Sequence, residues 1–414
     1  MAAAALVAAL LVACAGTGAR QEGKAGEPRT TGPAPAGSST GAATSTTAPP
    51  GTPSTPSSPS AAPGASPGAT PSTAPTPSTA PSTGACTDPS RWPVERQAAQ
   101  LVMVGVDPTG PAQARRAVEE QGLGGIFVGG DSTVLLRSGV LRELAQRPVP
   151  PFVGVDEEGG RVQRIDAIAG DVPSARVMAR TMSPDEVRAL ARRRGMELRR
   201  LGVTVDFAPV ADISSQPDGA VIGDRSYSND PTVVSRYAGA FAGGLRDAGV
   251  LPVLKHFPGH GRATGDSHRG VSVTPPLAQM GPDLAPFRLL SRSPATGVMV
   301  GHLDVPGLTG GVPASLSEPA IGGLLRRDLG FDGVVFTDDL SGMRAVTARY
   351  PPAEAAVRAV AAGADVALLA DPALGDDAVA ALAGAIGSGR LPAGRVRDAL
   401  AHILSAKGLP VCGA

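Results

Sequence analysis

From Arg91 onward, short apolar runs alternate with stretches of helical periodicity. Runs such as GGIFVGG, PFVGVD, VLPVLKHF, ATGVMVGHL and GVVFTDD are rich in Val, Ile and Phe and show no clean apolar–polar alternation. That pattern suits strands buried on both faces of a parallel sheet. Eight such strands are predicted, near 101–106, 124–128, 152–156, 203–208, 252–256, 297–302, 333–337 and 365–370. Between them lie segments with helical spacing of apolar residues, among them PAQARRAVEEQGL, PDEVRALARRRGMELRRLG and PTVVSRYAGAFAGGLRDAG. Alternating β and α units imply an α/β fold. Eight units over about 320 residues fit a single (β/α)8 barrel of the TIM type better than an open doubly wound sheet. Sites in such barrels form where the strands end, so the polar residues closing each run become the candidates. These are Asp156, Asp206, Lys255 with His256, His302, and Asp338 with Asp339.

The first 85 residues follow other rules. Ala2–Ala13 is an uncharged apolar run too short to span a bilayer as a stable anchor, and it suits the apolar part of a secretory signal. Leu11-Val12-Ala13-Cys14 resembles a bacterial lipobox, in which Cys14 would carry the lipid. No Lys or Arg precedes the run, which departs from the usual signal. Residues 15–85 are almost wholly Ala, Gly, Pro, Ser and Thr, and between Thr30 and Thr87 there is no charge, no aromatic and no Leu, Ile, Val or Met. Such a segment has nothing to offset the entropy of ordering and is expected to be a disordered linker. The division is therefore a signal over 1–14, a linker over 15–85 and a barrel over 86–414. The product would be an exported lipoprotein on the outer face of the cytoplasmic membrane, held there only by its lipid. Besides Cys14 the cysteines are Cys86 and Cys412, at the two ends of the barrel region. An exported protein can keep a disulfide between them, or both can remain free thiols.

Charge and composition remove several classes of function. The 37 basic and 37 acidic residues cancel, and aromatics are 3 % of the chain, which argues against nucleic acid as a partner. GVDEEGGRVQR follows a strand but lacks the G-x-G-x-x-G spacing of a dinucleotide site. The densest chemistry is KHFPGHGRATGDSH, residues 255–268, which holds three of the five histidines. His256 and His260 have the i, i+4 spacing of a helical zinc motif, but Pro258-Gly259 between them forbids a regular helix. A metal site is therefore not expected. Asp266 and His268 form a different candidate: a tight turn would let the carboxylate bond one imidazole nitrogen and orient the ring for proton transfer. The glycines around them suit a loop that moves with the substrate.

KHFPGHG followed by DSH closely resembles the signature of glycoside hydrolase family 3, and more narrowly its β-N-acetylhexosaminidase branch. DEEGGRVQR (156–164), DFAPVADI (206–213), GDRSYSND (223–230), PASLS (313–317) and LGFDGVVFTDDLSGM (329–343) follow the family's order. The resemblance covers roughly residues 90–410 and implies one (β/α)8 barrel. It also implies retaining, exo-acting release of terminal β-linked N-acetylglucosamine from cell-wall, peptidoglycan-type fragments, without cofactor or metal. Asp338 matches the family's nucleophile, His268 its acid/base and Asp266 the partner of that histidine. Asp156, Arg164, Arg225, Lys255 and His256 match positions that grip the sugar. Asp206 and His302 are candidates for a supporting role, His402 for a structural one, and His260 has none assigned. Tyr227-Ser228 stands where many relatives have Phe-Gly, which leaves the loop around Arg225 open. Two neighbouring activities stay open: a β-N-acetylglucosaminide phosphorylase, because an imidazole acid/base tolerates an incoming phosphate, and another β-glycosidase of the family.

Overall fold

A computed structural model describes residues 86–412. The signal, the lipobox with Cys14, and the linker over 15–85 lie outside the described residues. Eight parallel strands form one sheet: β1 (Val102–Val106), β2 (Gly125–Val128), β3 (Phe152–Val155), β4 (Val205–Asp206), β5 (Leu251–Phe257), β6 (Gly297–Val300), β7 (Val335–Thr337) and β8 (Ala367–Leu369). Each pairs with the next, β8 returns to β1 through Val102–Ala367 to Val104–Leu369, and a bridge between Phe336 and Val366 closes the ring. The result is the closed α/β barrel that the alternation implied, with every predicted run supplying one strand. β4 is shorter than its run because its register against β5 shifts after Asp206: the Leu251 N–H donates to the Thr204 carbonyl, but the Val253 N–H donates to that of Ala208, so two residues of β5 face four of this segment. Pairing with β5 resumes past that point, where the Ala211 N–H donates to the Lys255 carbonyl at 2.6 Å.

The barrel is filled rather than hollow. Four of the eight phenylalanines pack inside it: Phe127 on Phe207 at 5.9 Å, Phe207 on Phe336 at 5.4 Å, and Phe336 on Phe152 at 5.5 Å. Lys407 seats under this stack, where the strands begin. Its ammonium lies 4.8 Å from the Phe152 ring centroid and donates to Gln100 Oε1 and to the Gly124 carbonyl.

Outside, the helices start and pack for readable reasons. Pro184–Leu201 opens on a capping box, with the Glu186 N–H donating to Ser183 Oγ and the Ser183 N–H to Glu186 Oε2. Pro231–Asp247 opens on Asp230, whose carboxylate accepts the Thr232 N–H at 2.8 Å. The two helices press together so closely at Gly244 that a Cβ there would stand 2.3 Å from the Arg188 carbonyl oxygen.

The two ends of the described chain meet. Cys86 and Cys412 are disulfide-bonded with their Cα atoms 5.0 Å apart, and Thr87 exchanges backbone hydrogen bonds with Pro410 and Cys412. The bond closes a loop spanning 326 positions, so it restricts the unfolded chain strongly. Replacing both cysteines by serine is expected to lower the unfolding free energy by about 2–4 kcal/mol. Denaturant titration with and without reductant measures this, and the double variant should show no further loss on reduction.

Candidate active site

The strand ends deliver the expected residues to one cavity of about 350 Å³, a size suited to a sugar unit. Its lining includes Asp156 and Glu158 after β3, Arg225, Lys255 and His256 at the end of β5, His260, His268, and Asp338 with Asp339 after β7. Arg164 is not part of this lining. Its guanidinium turns back onto the Gln163 carbonyl at 2.8 Å, and its own N–H donates to Glu157 Oε2. Asp206 also lies behind the wall. It is fully buried, it accepts the Glu157 N–H at 2.9 Å, and burial pushes its carboxyl well above the usual range, with the charges of Glu157 and Asp156 adding to the effect.

Two carboxylates that the sequence patterns did not single out organise the site. Glu158 is buried and accepts both Arg225 nitrogens, at 2.8 and 2.7 Å, while Lys255 Nζ stands 2.6 Å from it. Lys255 Nζ also donates to Asp156 at 2.6 Å. Burial alone would raise the Glu158 carboxyl, but Arg225 and Lys255 outweigh it and hold the group far below its ordinary 4.5. Asp212 is the other. It takes the N–H groups of His256 and His260 and the His256 ring nitrogen Nδ1, the last at 2.8 Å. His256 therefore keeps Nε2 toward the cavity, 3.4 Å from Arg225 Nη2. Both acids sit inside quoted motifs, Glu158 in DEEGG and Asp212 in APVADI. Asp212 is a charge embedded in a run that otherwise reads as core, whereas Glu158 is one of three adjacent acids in DEEGG with no local mark to set it apart.

The two aspartates of TDD separate by role. The Asp339 carboxylate staples the following turn, accepting from the N–H groups of Ser341, Gly342 and Ala370. Its carbonyl oxygen accepts from His302 Nε2 at 2.7 Å, and Ser315 Oγ holds the other ring nitrogen, which fixes His302 beneath the pair. Asp338 spends only one carboxylate oxygen, on the Asp339 N–H at 2.9 Å, which leaves Oδ2 free. Burial pushes its carboxyl up, but His302, His256, the Asp339 N–H and Lys255 prevail, so it stays ionised below the ordinary range.

His268 rides a turn built as the loop argument required. Asp266 Oδ1 accepts both the His268 N–H and ring Nδ1 at 3.0 Å, and the Asp266 carbonyl accepts from Arg269 and Gly270. Asp266 is held below its ordinary range, because these contacts with His268 outweigh its burial. The ring is 63 % exposed, and with Nδ1 engaged it presents Nε2 outward. The turn is anchored rather than free. Ser267 is buried and its carbonyl takes the Ala345 N–H at 3.1 Å, while a small ribbon pairs Ser272–Val273 with Leu303–Asp304. Among the described residues, no group of three or more His, Cys, Asp or Glu converges as metal ligands would.

The model of the glycosyl hydrolase family 3 N-terminal domain matches residues 93–406, nearly all of this barrel. The chain belongs to glycoside hydrolase family 3. Within the family it falls in the β-N-acetylhexosaminidase branch and is a glycoside hydrolase. The chain is 48 % identical over 343 residues to the β-hexosaminidase LpqI of Mycobacterium tuberculosis, covering 80 % of this chain and 88 % of that protein. A crystal structure of a family 3 glycosyl hydrolase from Mycobacterium smegmatis superposes with a TM-score of 0.75 at 48 % identity, over 78 % of this chain and all of that one. The β-N-acetylhexosaminidase of Beutenbergia cavernae superposes with a TM-score of 0.71 at 30 % identity, over 77 % of this chain and all of that one.

The Glu158 ion pairs give the family 3 barrel a defined acid response. A carboxyl whose folded pKa is depressed stabilises fully above its unfolded pKa, and that contribution is lost as pH falls through the folded value. Glu158→Gln is expected to cost about 3–5 kcal/mol of unfolding free energy, since it leaves Arg225 without its carboxylate. Unfolding titrations across pH should find this difference constant above about pH 5 and shrinking below it.

Proposed function

We propose that the enzyme removes terminal β-linked N-acetylglucosamine from cell-wall, peptidoglycan-type fragments with retention of configuration. The observation that carries the reading is one cavity shared by an ionised carboxylate with a free oxygen, Asp338, and an imidazole oriented by a carboxylate, His268 on Asp266. In the first step Asp338 Oδ2 attacks the anomeric carbon while protonated His268 gives its Nε2 proton to the departing glycosidic oxygen. The C–O bond breaks and a glycosyl ester on Asp338 forms. In the second, neutral His268 takes a proton from water, and that water displaces Asp338 from the anomeric carbon. Two inversions restore the original configuration. Asp156, Lys255, Arg225 and His256 present charged groups to the sugar hydroxyls, and such a wall disfavours sugars that lack them. Arg164 has no place in that grip in the described geometry.

Asp338→Ala is expected to abolish release of an aryl group from an aryl β-N-acetylglucosaminide. His268→Ala should lose about 10²–10⁴-fold on an unactivated disaccharide, with a smaller loss on a nitrophenyl glycoside whose leaving group needs no proton. Equal losses on the two substrates would remove the acid role from His268. The same assay with added phosphate separates hydrolysis from phosphorolysis, because the latter yields a glycosyl phosphate.

The site of action is also proposed: an exported lipoprotein on the outer face of the cytoplasmic membrane, lipidated at Cys14. The Leu-Val-Ala-Cys sequence supports this, as does a disulfide between Cys86 and Cys412, which suits an oxidising compartment. Cys14→Ser is expected to shift the protein from the membrane pellet to the soluble fraction, and persistence in the pellet would exclude the lipid anchor.

A further inference from the structure

One histidine of the 255–268 stretch has no assigned part. His260 is 4 % exposed, and among the described residues neither of its ring nitrogens has a hydrogen-bond partner. A neutral imidazole carries one donor and one acceptor, and leaving both unmade in a buried place is costly enough that native structures rarely tolerate it. The ring is also unable to swing away and find partners. Its own N–H is bound to Asp212 Oδ1 at 2.6 Å, and its ring packs edge-on to His256 with centroids 5.8 Å apart. The next residue, Gly261, lies so close to the Ile213 carbonyl oxygen that a Cβ would stand 2.0 Å from it, which pins the backbone.

Its neighbours in the cavity wall are already committed. Lys255 and Arg225 are bound to Glu158, His256 Nδ1 to Asp212, and His268 Nδ1 to Asp266. Of the ionisable side chains that line the cavity among the described residues, His260 alone has its whole side-chain hydrogen-bonding capacity unspent. Burial and the neighbouring His256 hold the ring neutral against the pull of Asp212 and Asp338, so it keeps both a donor and an acceptor.

We propose that His260 is a specificity-determining residue, and that it hydrogen-bonds the acetamido group at C2 of the bound sugar. His260 and Asp338 line the same cavity, of about 350 Å³, so the ring shares a sugar-sized space with the nucleophile and with the anomeric carbon that it attacks. The substituent on the adjoining carbon is the one at C2. Each ring nitrogen shows less than 1 Å² to solvent, so only a group that projects from the sugar into the wall reaches it. An acetamido group projects further than a hydroxyl and offers both an N–H and a C=O, which matches either tautomer of the ring. This assignment rests on Asp338 as nucleophile and on an N-acetylhexosamine substrate, and it adds the group that reads the acetamido.

The test compares aryl β-N-acetylglucosaminide and aryl β-glucoside with the same leaving group. It uses the full chain as wild type, His260→Phe and His260→Asn. His260→Phe keeps a ring and removes the hydrogen bond. It is expected to lower kcat/KM on the acetamido sugar roughly tenfold to a hundredfold, with a smaller fall on the glucoside, so that the ratio between them drops at least about tenfold. His260→Asn keeps a donor and an acceptor and should recover part of the ratio. Equal losses on the two substrates, or no loss on either, overturn the proposal. With only five histidines in the chain, imidazole nitrogen resonances provide a second measurement on the unaltered enzyme. Saturating N-acetylglucosamine should shift those of His260 and glucose should not, and an unmoved His260 overturns the proposal even where a variant fails to fold. A wild type that cleaves no acetamido sugar would instead overturn the functional reading above.

Discussion

The carboxylate of Asp212 is the point on which the site turns. It is wholly buried, a position that ordinarily disfavours its charge, yet contacts with the His256 and His260 segments keep it ionised. One side chain from the segment after β4 thereby fixes the backbone at two points, one within β5 and one just past it, and one imidazole as well. A buried charge of this kind is stable only when its geometry is satisfied, so it enforces a single arrangement of the chain around it. His256, the turn through Pro258-Gly259 and the unpartnered ring of His260 all take their positions around it.

The barrel was legible because its signal is local. Val- and Ile-rich runs of strand length, separated by helical periodicity, need no knowledge of partners to be recognised, and a polar residue closing such a run already lies at the mouth. Asp156, Lys255, His256 and Asp338 were readable for this reason. Glu158 and Asp212 were not, because their importance lies in which distant groups they meet. Glu158 joins Arg225, from the connection after β4, and Lys255, from β5 itself, and nothing in DEEGG states that the third acidic position faces the cavity. Arg164 shows the converse: it belongs to a recognised motif, yet its guanidinium turns back on its own loop. The short β4 was over-read because the apolar run continues past Asp206, where the register against β5 shifts.

Two carboxylate–imidazole pairs stand in one cavity with different surroundings. Asp212–His256 is sealed, with His256 6 % exposed, whereas His268 of the other pair projects into solvent on a turn. Burial freezes the first pair into a fixed wall element. Exposure leaves the second able to exchange protons with water, as the proposed second step asks of it. Identical chemistry is thus divided by solvent access alone, and the backbone achieves this by placing one histidine in a strand and carrying the other on a loop braced by a small parallel ribbon.

The bond between Cys86 and Cys412 also sets how the domain bears load. A pull on the chain ahead of Cys86 divides there between the backbone that leads to β1 and the sulfur bridge into the segment that follows the last helix, Ala393–Ala406. The first strand, hydrogen-bonded on both sides within the ring, therefore meets only part of the peeling force that would open the barrel at its seam. Part of any such tension is carried by a covalent clasp joining the two ends of the described chain rather than by the hydrogen bonds of the ring.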